Sequence, residues 1–134
     1  MALVDTSAWI EYVRRTGSPI DLRLDGLIAS DATVALTQPV VMELLTGARD
    51  ATDEARLRAL IGAFDLLSFD PDIDFEQAAS ISRLCRSAGF SVKAVDCMIA
   101  SVAVRHEAAI LAADRDFARI ASVVPLGLDP ATPR

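Results

Sequence analysis

Apolar residues fall along the chain in two alternating rhythms, and the alternation predicts the architecture. Runs of strand length occur at Leu3-Val4, Thr33-Val34-Ala35-Leu36, Leu66-Leu67-Ser68-Phe69, Ala109-Ile110-Leu111 and Val123-Val124. Between them apolar residues recur at helical spacing. Trp9, Tyr12 and Val13 mark a first helix, and Leu22, Leu24, Leu27 and Ile28 a second, set off by the break at Gly17-Ser18-Pro19. Pro39 opens a third, carried by Val40 to Leu45 and stopped at Gly47. A fourth runs from about Asp53 to Ala63. Asp70 to Asp74 form a turn into a fifth, with Ala78, Ile81, Leu84 and Cys85 on one face, ending at Ala88-Gly89. Val92 to His106 give a sixth, with Val95, Ile99 and Val102 inward, and Phe117 to Ala121 a short seventh. Strands alternating with helices imply an α/β fold with a mostly parallel sheet covered on both faces. The reading is one domain over residues 1–134, with residues 127–134, which hold two prolines, as a loose tail.

Composition narrows the function classes. The chain is 52% hydrophobic but only 5% aromatic, so the core is expected from Ala, Val, Leu and Ile. Charge or Ser cuts every apolar run before a bilayer-spanning length, and Asp5 stands where a signal peptide would be basic and then apolar. A soluble, unexported protein without a membrane partner is the expectation. Cys85 and Cys97 are too few for a disulfide framework and lack zinc spacing, which leaves them as reduced core thiols. A net charge of −6 argues against coating nucleic acid by charge alone. Lys93 is the sole lysine among 13 basic residues, so nearly all the positive charge sits on arginine, the better fork for phosphate.

The candidate chemistry is carboxylate chemistry. Asp5 follows the first strand and Asp114 follows the fourth, so both point to the C-terminal edge of the sheet, where parallel α/β folds gather ligands. Taken alone, Asp5 reads more simply as a helix cap, while Asp116 reads equally as the cap of the helix beginning at Phe117 or as part of a site. Asp96 is more telling, because its helical neighbours Val92, Ile99 and Ala103 are apolar. A carboxylate there needs a partner, either a base such as Lys93 or Arg105 or a bound cation. Spacing alone turns Glu43 away from Val41, Leu44 and Leu45, toward solvent. If Asp5, Glu43, Asp96 and Asp114 converge, their repulsion calls for a divalent ion. An all-oxygen set favours Mg²⁺ or Mn²⁺ over zinc, an arrangement suited to phosphodiester hydrolysis.

The residues also carry a family resemblance. Val4-Asp5-Thr6-Ser7-Ala8-Trp9-Ile10 and the block from Pro39 to Arg49 resemble the opening motifs of the PIN-domain ribonucleases, specifically the VapC toxins of toxin–antitoxin pairs. Ala94-Val95-Asp96-Cys97-Met98-Ile99-Ala100 and Leu111-Ala112-Ala113-Asp114-Arg115-Asp116-Phe117 resemble the third and fourth. The resemblance implies a PIN-like three-layer α/β/α sandwich, a cytoplasmic homodimer, a VapB-type antitoxin that blocks the site, and an RNA substrate such as tRNA or rRNA. It makes Asp5, Glu43, Asp96 and Asp114 the catalytic quartet, overruling the surface reading of Glu43. Asp5, Asp96 and Asp114 become ligands of Mg²⁺, or of Mn²⁺, and Asp116 an accessory acid. Glu43 positions or deprotonates the attacking water. One departure stands out: such toxins usually carry Thr or Ser where this chain has Ala112, and Thr6 or Ser7 are the candidates to supply the missing hydroxyl. Arg14, Arg15, Arg49 and Arg115 are candidates for phosphate contacts.

Other sites fit poorly. Asp70, Asp72 and Asp74 lack the Gly and Glu of a calcium loop, and read as turn and cap residues, Asp74 with Gln77. His106 alone supports no Ser-His-Asp or Cys-His site. An aspartyl-phosphate phosphatase wants a second acid at position 7, where Ser stands. The non-enzymatic rival is a PIN fold kept as a protein-binding partner with little turnover, which only Ala112 favours.

Overall fold

The computed structural model describes residues 1–134 and contains one five-stranded sheet, every strand parallel to its neighbours. Its strands are β1 (Ala2–Val4), β2 (Val34–Leu36), β3 (Asp65–Leu66), β4 (Ala109–Leu111) and β5 (Gly127–Leu128), in the order β3-β2-β1-β4-β5. Around it lie α1 (Thr6–Val13), α2 (Pro19–Ala29), α3 (Gln38–Thr46), α4 (Ala51–Gly62), α5 (Asp74–Ser87), α6 (Ala94–Arg105) and α7 (Asp116–Ala121). This is the expected three-layer α/β/α sandwich. The chain steps outward from β1 through β2 to β3, then crosses back to β4 and β5. The strand order therefore reverses at β1, and the crevice between β1 and β4 is where such sheets hold ligands.

Burial explains why β1 takes the centre. Leu3, Val4, Leu36, Ile110 and Leu111 are wholly buried, as a strand covered on both faces requires, and register pairs Val4 with Leu111. Trp9 on α1 is also wholly buried, edge-on to Tyr12 at 6.0 Å and tilted against Phe64 at 5.1 Å. That aromatic cluster pins α1 over the sheet and so fixes the turn from Asp5 to Ser7. In the link from α5 to α6 Gly89, at φ 89°, takes the left-handed conformation that terminates α5, and Phe90 N–H closes the turn onto the Cys85 carbonyl at 2.8 Å.

Three expectations about the strands and the tail are corrected. The third strand is Asp65–Leu66, slightly earlier than the apolar run at 66–69, because Leu67 onward leaves the sheet after one last bond to Leu36 O. The last strand is Gly127–Leu128, and Val123-Val124 form the turn leaving α7. Residues 127–134 are accordingly docked. Asp129 N–H donates to Ile110 O at 2.8 Å, and Arg23 grips the Asp129 carboxylate with two parallel bonds, Nε to Oδ1 at 3.0 Å and Nη2 to Oδ2 at 2.9 Å. Thr132 is 2% exposed, and its hydroxyl accepts from Ala112 N–H at 3.1 Å and donates to Ile110 O at 2.8 Å. No local apolar rhythm signals this strap, because polar bonding and not periodicity holds it.

Asp74 is a fourth correction. It is wholly buried at the start of α5, and Gln77 N–H bonds to Ile73 O, so the cap expected from its spacing with Gln77 is not made. Its carboxylate instead accepts from Asp70 N–H at 2.8 Å, Ser101 Oγ at 2.7 Å and Arg105 Nη2 at 2.6 Å. Ser101 and Arg105 are one turn apart on α6 and so present the same face to α5. Burial alone would raise this carboxyl, but Arg105, the Asp70 amide and Ser101 together hold it below the usual carboxylate range.

Two outcomes follow for stability. Asp74→Ala strands Arg105 and should cost about 3 kcal/mol at pH 7 in urea unfolding. Because the folded-state value lies below the ordinary 3.8, this contribution is present above that pH and is lost as the pH falls through the folded value, so the gap between variant and parent should close in acid. Thr132→Val leaves the buried Ala112 amide without an acceptor and should cost about 1–3 kcal/mol in the same assay.

Candidate active site

Parallel pairing carries the acids to one edge. Asp5 follows β1 directly, its N–H donating to Leu111 O at 2.9 Å, so the ends of β1 and β4 are tied together. Asp5 is the N-cap of α1, as its simplest reading holds: Oδ2 accepts from Ser7 N–H at 3.0 Å and from the Ser7 hydroxyl. It is also 4% exposed. Burial pushes its carboxyl up from 3.8, the Ser7 bonds offset part of the rise, and the charge of Glu43 adds to it.

Ser7 and Thr6 do the work of hydroxyls at this edge. Ser7 Oγ accepts from Ala113 N–H at 3.0 Å while donating to Asp5, so one side chain bridges the turn after β1 and the turn after β4. Thr6 Oγ1 donates to Glu43 Oε1 at 2.7 Å. Ala112 is wholly buried, with its amide satisfied by Thr132. Position 112 itself offers no hydroxyl to the edge, and those of Ser7 and Thr132 meet the backbone beside it, at Ala113 N–H and Ala112 N–H. Glu43, which spacing turns toward solvent, is half-buried and faces α1, because α1 packs across α3.

Asp96, Asp114 and Asp116 form the tightest group, each offering a carboxylate oxygen within 4.8 Å of the others. Asp114 Oδ1 accepts from Asp116 N–H at 2.8 Å, which curls the loop so that both acids face the same space. The cap reading of Asp116 is corrected here. Arg115 takes the N-cap position of α7, and Asp116 is the first helical residue, paired with Arg119 at 3.0 Å. Asp96 sits in the first turn of α6 at 6% exposure, and its Oδ2 is buried with no hydrogen-bond partner. The helix N-terminus favours a negative charge there. Burial together with the charges of Asp5, Asp114 and Asp116 overrides that preference and pushes the carboxyl up to about 7, against a smaller pull from Lys93. Arg105, one of the two bases considered for it, is bound to Asp74 instead.

A buried carboxylate oxygen without a partner, among three acids that repel it, is an incomplete polar site. The donors are all oxygen, which suits a hard divalent cation, and such an ion would satisfy Oδ2 and relieve the repulsion at once. The sequence expectation named Asp5, Asp96 and Asp114 as ligands. The structure brings Asp116 into the closest group and leaves Asp5 beside it, near enough for its charge to be the strongest of those acting on Asp96.

Comparison with known proteins gives this edge a family. The model of the PIN domain matches residues 2–123. Over 128 residues the chain is 41% identical to the VapC ribonuclease Mb1587 of Mycobacterium bovis, covering 94% of this chain and 96% of that protein, and equally to ribonuclease VapC11 of Mycobacterium tuberculosis. Among solved structures, VapBC2 of Rickettsia felis bound to a promoter DNA fragment superposes with a TM-score of 0.78 at 17% identity, covering 96% of each chain. FitAcB of Neisseria gonorrhoeae gives 0.75 at 24% identity and 98% of each chain. VapC20 of Mycobacterium tuberculosis, a sarcin-ricin loop cleaving toxin, gives 0.68 at 22% identity, covering 95% of this chain and 99% of that one. These likenesses show a shared fold, and the sequence relatives go further: the chain belongs to the PIN-domain family, in the group of the VapC ribonucleases.

Proposed function

We propose that the chain is a metal-dependent endoribonuclease, the toxin of a toxin–antitoxin pair, hydrolysing RNA phosphodiester bonds at the edge between β1 and β4. The observation that carries the reading is the acid group Asp96, Asp114 and Asp116, with Asp96 Oδ2 buried and unpartnered beside Asp5. Asp96, Asp114 and Asp116 would hold one Mg²⁺ or Mn²⁺. Asp5 would complete the set through Oδ1, since Ser7 occupies Oδ2. When bound, the ion supplies Lewis acidity toward a phosphoryl oxygen and offsets the charge of the acids.

The chain's own side chains would do the rest. Thr6 fixes Glu43 Oε1, which leaves Oε2 to accept a proton from the attacking water as its oxygen closes on phosphorus and the bond to the leaving oxygen breaks. Ser7 holds the two loop ends in register, so that Asp5 and the Asp114 turn keep their spacing.

Its relatives and fold neighbours include proteins named as ribonucleases and as toxin–antitoxin complexes, which supports RNA as substrate, with tRNA or rRNA as the candidate classes, and a VapB-type antitoxin as the inhibiting partner. A homodimer acting in the cytoplasm completes the reading, and no helix is long and apolar enough to cross a membrane. The alternative of a PIN fold kept only for protein binding rests on Ala112, and the gathering of like-charged acids around the unpartnered Asp96 oxygen weighs against it.

Purified protein freed of antitoxin should cut a total small-RNA pool at discrete positions with Mg²⁺ or Mn²⁺ and not with chelator. Asp96→Asn should lower the rate at least 100-fold while circular dichroism stays unchanged, and a folded Asp96→Asn protein that still cuts would refute the assignment. Metal removal supplies a second test. The Asp96 value is raised, so its contribution to stability is present below 3.8 and is lost as the pH rises through about 7. In chelator, wild type should therefore have a lower Tm at pH 8 than at pH 5.5 once compared with Asp96→Asn, and Mg²⁺ should restore Tm at pH 8 in wild type only.

A further inference from the structure

The arginines are the positive groups available to an acidic chain, and the structure sorts the four candidates for phosphate contact. Arg15 lines an open groove as the one base against two acids, Asp21 and Asp25. Arg115 sits at the start of α7, beside the acid group itself. Arg14 and Arg49 share one pocket of about 260 Å³, enclosed by the C-terminal end of α1, the second half of α3 and the first half of α4. Glu43 stands in the same wall, so the pocket opens directly beside the acid edge.

The lining divides by chemistry. Ile10, Val13, Leu44 and Leu57 give an apolar wall, with Val13 47% and Ile10 37% exposed. Arg14 takes part in none of the salt bridges or side-chain hydrogen bonds of the fold, so its charge is uncommitted. The Arg49 side chain is 84% exposed and reaches Asp53 only at 3.5 Å, while Asp53 is already held by the Arg49 and Asp50 turn through Arg49 N–H at 3.0 Å. Arg14 lies eight residues beyond Thr6 along α1, about 12 Å of helix. That is too far to reach the bond being cut and suited to a neighbouring nucleotide.

We propose that this pocket is a nucleotide subsite for single-stranded RNA: a phosphate flanking the scissile bond lies between Arg14 and Arg49, and its sugar and base pack on Ile10, Val13, Leu44 and Leu57. The size suits one nucleotide, the uncommitted guanidinium suits a phosphate fork, and the aliphatic wall suits a base face without selecting its edge. The subsite rests on the ribonuclease reading, because Glu43 joins the pocket to the acid edge.

The test uses wild type, Arg14→Gln, Arg49→Gln and the double variant, all changes at exposed side chains. Binding of a fluorescent, 2′-O-methylated mixed-sequence oligoribonucleotide is followed against KCl concentration by anisotropy, and cleavage of unmodified RNA is followed in parallel. The double variant, which frees the one phosphate, should reduce the slope of log affinity against log salt by about 0.7, and each single variant by part of that. Each variant should raise KM at least threefold with kcat held within twofold, an effect that mere misfolding would not confine to KM. Unchanged slopes and KM in variants of a wild type that cuts RNA would overturn the subsite and leave the ribonuclease reading standing. Loss of binding to an antitoxin C-terminal peptide with RNA slopes unchanged would overturn it in favour of a peptide site. A wild type that neither binds nor cuts RNA would overturn both.

Discussion

Parallel pairing of β1 with β4 is the constraint on which the rest of the molecule depends. The two strands end level, with Val4 opposite Leu111 and Asp5 N–H bonded to Leu111 O, so whatever follows each strand emerges at the same place. Because the strand order reverses there, no helix covers that crevice, and the loops after both strands are free to carry polar groups. Asp5 follows one strand, Asp114 and Asp116 the other, and α6 delivers Asp96 from its first turn. A register slip of one residue in β4 would break the bond from Asp5 N–H to Leu111 O and carry the loop of Asp114 and Asp116 out of line with Asp5.

Two buried aspartates show how one side chain serves opposite ends. Asp74 and Asp96 are both nearly inaccessible, and both stand in the first turn of a helix. Asp74 is met by an amide, a hydroxyl and a guanidinium, and its carboxyl is held low, so it clamps α5 to α6. Asp96 is met by other acids and keeps an oxygen with no partner, so its charge is held at the expense of stability. Groups perturbed in this second way cluster where chemistry is done, since folding alone gives no reason to gather like charges. The hydroxyls of Thr6 and Ser7 order the acids without neutralising them, which leaves that deficit for a cation to fill.

The C-terminal segment extends the same logic beyond the residues that define the family. The matched PIN region ends at residue 123, yet Gly127 and Leu128 complete the sheet and Thr132 satisfies the amide of Ala112, two residues before Asp114. Arg23 on α2 secures this strap through Asp129, so α2 and the last residues jointly support the strand that presents the acids. The active edge is thus braced from behind by polar bonds that lie outside the apolar core.

Local rhythm in the sequence determined the order of strands and helices, the parallel sheet, and the placing of Asp5 and Asp114 at strand ends, because periodicity and punctuation act over a few residues. The apolar neighbours of Asp96 likewise marked it as an acid in need of a partner. What only tertiary structure decided are the contacts between distant segments. Glu43 turns inward because α1 crosses α3, which its own helix cannot reveal; only likeness to the family had placed it in the site. Arg105 serves Asp74 and not Asp96 because α5 packs on α6. Asp116 joins the cluster because Asp114 curls the loop beneath it, and Thr132 reaches Ala112 because a segment with no apolar rhythm lies along β4. Spacing along a chain carries no record of such meetings, since they are set by the packing of elements whose faces, and not whose positions in sequence, are complementary.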